Sequence, residues 1–274
     1  MPEAPERVPG PAVRDAGRRL AEAGCARPHA DARALADAAL GDSEEPGAEA
    51  RFESLVARRA AREPLAYILG RTFFRGLELR VDPRVLIPRP HTEPLVEAAL
   101  ALPRGARVLD LCTGSGAVAL SLKRERPDLE VVGADLSTGA LAVASGNADR
   151  LGIEVAWITS DLLADAPGPW DAVLANPPYI DEGEPALAPE MVGHEPRLAF
   201  GGGDGGLAVI RRLIDEVSAV PWVALEVGDH QGATVRDLLT RAGFDEVRGH
   251  LDFTGVERVV AGARAHASRR SDVA

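Results

Sequence analysis

The chain has 274 residues, of which 46% are hydrophobic, enough to bury one large core or two smaller ones. Its formal net charge of -11 argues against a general binder of nucleic-acid backbones, because such proteins normally carry a basic excess. The two cysteines, Cys25 and Cys112, lie far apart in unlike contexts, which predicts free thiols in a reducing compartment. No apolar run reaches the length of a membrane span, and the first residues lack the pattern of a signal peptide, so we expect a cytoplasmic protein.

The first part of the chain predicts a small helical domain over residues 1–70. Alanine and leucine recur at helical spacing from Ala12 to Leu40, which indicates two short amphipathic helices. A third helix is predicted from Ala48 to Arg62, with apolar residues on one side and arginines on the other. The residues before Gly10 are rich in proline and are predicted to be frayed. Such a domain is either a solubilising lid or a platform that recognises a macromolecular substrate, and composition leaves both readings open.

Residues 71–90 predict a hairpin and a linker between two domains. Phe73 to Val81 alternates around a glycine, which is typical of a β-hairpin. The proline-stiffened loop from Leu86 to Glu93 either covers a pocket or serves as an ordinary linker. The following helix, from Pro94 to Leu102, is predicted to have Thr92 as its N-cap.

A glycine turn follows the next predicted strand, which begins near Arg107. Glycines at this place let the chain reverse tightly and let a ligand approach the backbone. Dinucleotide enzymes and methyltransferases share this feature. A second strand ends in Asp135, about twenty residues further on, the spacing at which a carboxylate binds ribose hydroxyls. The alternative for Asp135 is a helix N-cap. The turn consists of Cys112, Thr113, Gly114, Ser115 and Gly116.

Strands and helices continue to alternate, which predicts an α/β fold with a parallel, doubly wound sheet. A third strand ends at Asp161, and the apolar run from Trp170 to Ala175 leads into Asn176. Because ligands bind at the carboxyl ends of such strands, we expect these side chains to share one rim. Residues 181–206 are rich in Pro, Glu and Gly and long for a connector, which favours a substrate-facing lid. A strand at residues 222–227 and a terminal pair near residues 246–260 complete the sheet.

Two prolines follow directly on Asn176. They fix the backbone and have no N–H groups, so the carbonyls here remain as acceptors. An asparagine amide oxygen, backbone carbonyls and an aromatic face can together hold a flat NH2 group, as a methyltransferase requires when its acceptor nitrogen is conjugated. The alternative is a simple proline-stiffened turn. Histidine, cysteine and acidic residues show no metal-site spacing, so we expect no metal. The motif, called the NPPY motif below, is Asn176, Pro177, Pro178 and Tyr179.

From Arg62 to Arg264 the chain resembles the HemK/PrmC protein-glutamine N5-methyltransferases, which act on peptide chain release factors. The NPPY motif alone is shared with adenine and guanine amino-methyltransferases. Three departures from the family pattern are His91 in place of an acidic residue, Leu162 in place of a tryptophan found in some members, and a one-residue shift in Gly201–Gly206. The stretches that carry the resemblance are Arg62–Gly70, Val81–Pro90 with Thr92 and Glu93, Leu109–Gly116, Asn176–Ile180 and His194–Arg197.

The resemblance implies a Rossmann-like, seven-stranded class I methyltransferase domain over residues 91–264. In the sequence this domain follows the helical domain and the hairpin, and a disordered tail is expected at 265–274. The cofactor implied is S-adenosyl-L-methionine. Its methionine carboxylate would lie on the glycine turn, its ribose on Asp135 and its adenine beside Asp161 and Leu162. Asn176 would contact both the cofactor and the substrate.

The substrate implied is the glutamine of the Gly-Gly-Gln motif in class I release factors. The oxygen of Asn176 and the carbonyl of Pro177 would accept its two N–H bonds, Pro178 would stiffen the loop, and Tyr179 would line the amide plane. A monomer without direct nucleic-acid contact is expected.

Other functions remain open from the sequence. A sister enzyme could methylate a glutamine of a ribosomal protein, and a nucleic-acid amino-methyltransferase would share the NPPY motif. A nicotinamide dehydrogenase would leave that motif without a task. A non-catalytic module that binds release factors would need a degraded glycine turn, whereas Thr113 to Gly116 is intact.

Overall fold

The computed structural model describes residues 8–40, 47–181, 183 and 187–264. The chain divides into two compact units. The N-terminal unit is the described part of Met1–Arg71 together with Leu187–Glu195, and the catalytic unit is the described part of Thr72–Ala186 and Pro196–Ala274. The predictions of a frayed start and a disordered tail fall largely on residues 1–7 and 265–274, which lie outside the described residues.

Helices and strands alternate along most of the chain. The α-helices are α1 (Gly10–Glu22), α2 (Pro28–Ala39), α3 (Ala48–Ala60), α4 (Leu65–Leu69), α5 (Glu93–Ala99), α6 (Ala117–Glu125), α7 (Thr138–Leu151), α8 (Pro189–His194), α9 (Ala208–Glu216) and α10 (Gly232–Arg241). The strands are β1 (Arg71–Phe74), β2 (Leu77–Arg80), β3 (Arg107–Leu111), β4 (Glu130–Asp135), β5 (Ala156–Thr159), β6 (Ala172–Ala175), β7 (Trp222–Glu226), β8 (Glu246–Leu251) and β9 (Glu257–Ala263). Among the described helices, none has both the length and the apolar character that crossing a bilayer requires.

The N-terminal unit is built on the helices that the alanine and leucine spacing predicts. Leu20 of α1, Leu35 of α2, and Phe52 and Val56 of α3 are fully buried in one core. The short helix α4 was not predicted, and it adds Ile68 to this core.

The segment Leu187–Glu195 belongs to the N-terminal unit through an ion-pair network. Glu190 accepts hydrogen bonds from Arg62 at 2.6 and 2.9 Å and from Arg59 at 3.2 Å. Arg59 is buried and also bonds to Asp31 at 2.9 Å. Burial opposes the charge of Glu190, yet hydrogen bonds from Arg62 and Arg59 lower its pKa overall. The sequence predicted a lid over residues 181–206, and the structure assigns the middle part of this segment, Leu187–Glu195, to the N-terminal unit.

The catalytic unit contains a seven-stranded sheet in the order β5-β4-β3-β6-β7-β9-β8. The first five strands in this order are parallel, as predicted, whereas β9 pairs antiparallel with both β7 and β8. The all-parallel prediction is therefore wrong for the terminal pair. The connection between β8 and β9 is too short for the crossover that a parallel neighbour needs.

Helices cover both faces of this sheet, and two apolar clusters form the cores between the layers. The hairpin β1–β2 pairs as predicted and packs Phe74, Leu77 and Leu79 into one of these cores. Helix α5 follows a 3-10 turn at Pro90–Thr92. Thr92 lies at the N-cap position of α5, as predicted, but its side chain makes no capping hydrogen bond there. The Thr92 side chain is instead buried within the unit.

Candidate functional site

The register of the sheet aligns the ends of four neighbouring strands. The aligned pairs are Leu111–Ala134, Leu111–Ala175 and Ala175–Leu225. The residues one step further along these strands are Cys112, Asp135, Asn176 and Glu226. Because parallel strands end at the same edge, these four residues form one row at the carboxyl edge of the sheet.

The glycine turn has the backbone conformation that its sequence predicts. Gly114 and Gly116 have φ values of 56° and 81°, where a side chain is strained. A Cβ atom at Gly114 would point into open space, which leaves the backbone accessible from that side. The N–H of Gly114 donates to Oδ2 of Asp135 at 2.9 Å, so the turn is fastened to the end of β4.

Asp135 lines the cavity and supports two backbone groups. Its Oδ1 accepts from the N–H of Ser137 at 2.9 Å, in addition to the bond from Gly114. Ser137 is the N-cap of α7 and accepts from the N–H of Ala140, so the alternative of Asp135 as the N-cap is wrong. Burial raises the pKa of Asp135, and the backbone hydrogen bonds oppose that effect. A carboxylate offers about four lone-pair sites, so two remain for a ligand.

Two buried polar residues form hydrogen bonds with the glycine turn, and the sequence analysis assigned a site role to neither of them. Asp110 accepts from the Thr113 hydroxyl at 2.6 Å and from the N–H of Ala119 at 3.1 Å. Burial raises the pKa of Asp110 to about 7, although these hydrogen bonds oppose the rise. The available signal was a carboxylate inside an otherwise apolar strand.

The second of these residues is Asn147 of α7, which is fully buried. Its Nδ2 donates to the carbonyls of Ser115 and Arg80, each at 3.0 Å, and its Oδ1 accepts from the N–H of Arg80 at 2.7 Å. One amide therefore joins the glycine turn to the end of the hairpin.

Asp161 and Leu162 both line the same cavity, beyond the end of β5. The Asp161 side chain is about half exposed and pairs with Arg212 at 2.7 Å. Leu162 is buried and has a φ of 51°. The side chain at this position is therefore an apolar wall of the cavity, where some members of the resembling family have an aromatic ring.

The NPPY motif leaves β6 at the aligned edge, and Asn176 and Pro178 line the cavity. Pro177 is buried. The Tyr179 hydroxyl donates to Oε1 of Glu226 at 2.9 Å, which directs the ring towards β7. Among the described residues, neither Tyr179 nor His91 lines the cavity.

The backbone after the motif is held by neighbouring glycines and a glutamine. Ile180 bonds to Phe200 and to Gly202, at 2.8 and 2.9 Å. Gln231 donates through Nε2 to the Tyr179 carbonyl at 2.9 Å. A Cβ atom on Gly206 would lie 2.1 Å from that same carbonyl oxygen, so only glycine fits there.

The cavity at this edge has a volume of about 340 Å³. It is mostly apolar, with acidic groups from the strand ends. The loop from Leu86 to Glu93, for which covering a pocket was one prediction, contributes to the wall of the cavity. Its wall residues are Leu86, Pro88, Arg89 and Thr92, and Arg84 and Val85 just before it also line the cavity.

Comparison with known proteins agrees with this geometry. The methyltransferase small domain family matches residues 91–212, and the PrmC N-terminal domain family matches residues 11–70. A release factor glutamine methyltransferase of Mycolicibacterium smegmatis is 42% identical over 92% of this chain and 96% of its own length. The chain belongs to the release factor glutamine methyltransferase family.

Another member of this family, from Neisseria gonorrhoeae, is 43% identical over 77% of this chain and 81% of its own length. A crystal structure of a methyltransferase from Pyrococcus furiosus matches with a TM-score of 0.54 at 18% identity, over 69% of this chain and 90% of that one. This second likeness shows the fold alone. The predicted seven-stranded methyltransferase fold is thus confirmed.

The enzyme uses S-adenosyl-L-methionine, and the residues present fit it. The open side of Gly114 leaves room for a ligand against the backbone of the turn. Asp135 places a carboxyl group in the cavity without an ion-pair partner among the described wall residues, whereas Asp161 is paired with Arg212. The Asp135 carboxylate suits a ligand with a sulfonium cation. Leu162 offers an apolar surface for a flat ring.

Proposed function

We propose that this enzyme methylates the side-chain amide nitrogen of the glutamine in the Gly-Gly-Gln motif of class I release factors. The observation that carries the proposal is the position of Asn176 in the row that also contains Asp135, on the wall of one cavity. The names of relatives at 42% and 43% identity support the choice of substrate.

The resemblance to the family implies the following cofactor contacts, and the residues named all border the site described above. The glycine turn, Cys112 to Gly116, receives the carboxylate of the methionine part through its backbone. Asp135 uses its remaining lone pairs to accept from the ribose hydroxyls. Asp161 and Leu162 border the adenine. Asn176, at the neighbouring strand end, lies where cofactor and substrate meet.

The NPPY motif binds and orients the acceptor amide. When bound, the cofactor supplies an electrophilic methyl group on a positively charged sulfur. An amide nitrogen is a poor nucleophile because its lone pair is delocalised into the carbonyl. Asn176 Oδ1 and the Pro177 carbonyl accept its two N–H bonds, which aligns the lone pair with the methyl carbon. Asn176 and Pro177 would thus hold the nitrogen in place to receive the methyl group from the bound cofactor, and the nitrogen would give up one of its two N–H protons to water.

Pro178 stiffens the loop behind these acceptors. The Tyr179 hydroxyl bonds to Glu226 and so holds the loop in place from outside the cavity wall. A ring contact with the amide plane, which the resemblance implies for Tyr179, would require the ring to turn towards the cavity. We also predict that the enzyme is a monomer and that it acts in the cytoplasm, where its substrate is used. We expect it to make no direct contact with nucleic acid.

The test is a side-by-side incubation with labelled S-adenosyl-L-methionine. Purified class I release factor, the same factor with the glutamine of its Gly-Gly-Gln motif replaced by alanine, and total ribosomal proteins are the three substrates. We expect label only on the release factor whose glutamine is intact. Label on a ribosomal protein instead would overturn the choice of substrate and favour the sister enzyme. Equal label on both release factors would overturn the choice of glutamine.

A further inference from the structure

Glu226 is a buried carboxyl group in the row of strand ends, and neither the cofactor nor the substrate contacts proposed above use it. Only 1% of its surface is exposed, at the end of β7 beside Asn176. Its Oε1 accepts from the Tyr179 hydroxyl at 2.9 Å. Its Oε2 is buried without a partner of full hydrogen-bond geometry among the described residues. A buried oxygen in this state calls for a donor close by.

Thr92 is the donor that the surroundings offer. Its side chain is buried. Burial raises the pKa of the Glu226 carboxyl, and hydrogen bonding from Thr92, Tyr179 and Asn176 opposes that rise. Thr92 also accepts from Nδ2 of Asn176, at 3.4 Å between Nδ2 and Oγ1. The three side chains therefore form a chain from β7, through the loop before α5, to the NPPY motif.

A hydroxyl has one hydrogen to donate, and this fixes the direction of the whole chain. A carboxylate only accepts, so Thr92 must turn its hydrogen towards Glu226. Thr92 can then only accept from Asn176, so the Asn176 amide must present its NH2 group to Thr92 and to Glu226. We propose that Glu226 is a positioning residue that, together with Thr92, keeps the Asn176 side-chain oxygen facing the substrate amide.

This proposal rests on the proposed role of Asn176 in binding the acceptor amide. An asparagine can rotate by half a turn and exchange its oxygen and NH2 group at little cost in shape. In the wrong orientation the NH2 group would face the N–H bonds of the substrate and repel them. The reaction therefore requires the correct orientation of the Asn176 amide as well as the presence of its oxygen.

The charge of Glu226 decides whether the chain has this direction. Burial raises its pKa to about 7, against hydrogen bonds from Thr92 and Tyr179 and the charge of Arg258. Above that pH the carboxylate is an obligatory acceptor. Below it the protonated group can donate to Thr92 and free the Thr92 hydrogen for Asn176. The charged and titratable groups around Glu226 and around Arg258 are Tyr179, Asp229, Asp252 and His91.

His91 is the group in this set that could confuse a pH profile, because burial and the charges of Arg258 and Arg89 lower its pKa from 6.5. Burial and Glu226 raise the pKa of Tyr179, which keeps it neutral at these pH values. A His91→Gln protein serves as the control for this reason. We expect its titration near pH 7 to match that of the parent.

The direct test observes the Asn176 amide itself. The sequence has two asparagines, Asn147 and Asn176, so a protein labelled with 15N in asparagine side chains gives two NH2 signals. We expect the Asn176 signal to shift between pH 6 and 8 with a midpoint at about 7, and to lose that titration in Glu226→Gln. Asn147, bonded to the backbone of Arg80 and Ser115, is the internal control and should stay constant.

Kinetics with the release factor give the second test. We expect Glu226→Gln to lower kcat about 100-fold while cofactor affinity stays within about threefold, because a mispositioned acceptor affects mainly the transition state. Thr92→Val should lose a similar factor, and Thr92→Ser, which keeps the hydroxyl, should recover most of it. The parent rate should rise with pH through about 7, and the rise should be smaller in Glu226→Gln, where Asp110, whose pKa is also about 7, still titrates.

The two tests separate this proposal from the proposed function. An Asn176 signal that does not titrate, or that titrates alike in Glu226→Gln, would overturn the positioning role whatever the substrate. An inactive parent with the expected Asn176 titration would overturn the release-factor assignment and leave the positioning role in place. Equal activity of Thr92→Val and Thr92→Ser would also overturn the proposed chain.

Discussion

Gly206→Ala should damage the NPPY motif without touching a ligand. Gly206 has a φ of 78°, and a Cβ atom there would lie 2.1 Å from the Tyr179 carbonyl oxygen and 2.5 Å from Nε2 of Gln231. The left-handed conformation costs an alanine about 1 kcal/mol. Displacing the Tyr179 backbone adds about 1–3 kcal/mol, the range seen for overpacking. We therefore expect a loss of about 2–4 kcal/mol in the free energy of unfolding.

The adjacent Gly205 provides a matched control in the same turn. Its φ is 63°, and no atom lies within 4 Å of its Cβ position. Gly205→Ala should therefore lose only the conformational part, about 1 kcal/mol. The difference between the two variants isolates the contact with Tyr179.

Denaturation followed by tryptophan fluorescence measures the stability of the catalytic unit, which contains both glycines. The three tryptophans, at positions 157, 170 and 222, all lie in the catalytic unit. Methyl transfer is then measured below the unfolding transition. We expect Gly206→Ala to lower kcat by about tenfold or more, because a shift of about 1 Å in a positioning group has such effects. Equal losses of stability and kcat in both variants would refute the reasoning.

Three further predictions concern single contacts. Asn176→Ala should abolish methyl transfer while cofactor affinity, measured by calorimetry, stays within about tenfold, which corresponds to one lost hydrogen bond. Asp135→Ala should weaken cofactor binding itself, because it removes the proposed ribose acceptor and the anchor of the glycine turn. Glu190→Gln should lower the stability of the N-terminal unit by about 1–2 kcal/mol, because Arg59 and Arg62 lose a charged acceptor.

Each of these has its own control. Turnover at the parent rate in Asn176→Ala would contradict the role of that amide, and parental cofactor affinity in Asp135→Ala would contradict the ribose contact.

For Glu190 the matched variant is Asp15→Asn, which breaks an exposed ion pair with Arg18 in the same unit. Exposed pairs contribute little, so we expect close to no change there. A similar loss in both proteins would show that Glu190 is not a special anchor.

Local patterns were enough to predict much of the fold. The apolar runs before Asp135, Asp161 and Asn176 are strands; β6 is fully buried, β4 is partly buried, and β5 is a half-exposed edge strand. The glycine turn follows its strand as predicted. Burial on both sheet faces produces such runs directly, and the turn needs glycines for its positive φ values. The rim that collects these residues follows from parallel pairing, which the alternation of strands and helices predicts.

The polar residues behind the rim could not be found in this way. Asp110 and Glu226 stand out in the sequence only as carboxylates within apolar strands, and Asn147 does not stand out at all. Their roles depend on which groups the fold brings to them. Thr92 was assigned to the nearest helix start because capping is a local signal. Its partner in the structure lies 84 residues away, in the NPPY motif.

Pairing between distant segments explains the other differences. The antiparallel placement of β9 between β7 and β8 depends on a sheet edge that its own sequence does not encode. The membership of Leu187–Glu195 in the N-terminal unit depends on arginines more than a hundred residues earlier. Charge complementarity of this kind becomes visible only when both segments are folded.

The central claim is that Asn176 presents a glutamine amide to the methyl donor. The most direct measurement is mass spectrometry of a class I release factor after incubation with the enzyme and S-adenosyl-L-methionine, using the parent and the Asn176→Ala protein side by side. We predict one added methyl group on the glutamine of the Gly-Gly-Gln motif with the parent and none with the variant. A methyl group on another residue, or equal methylation by both proteins, would contradict the account.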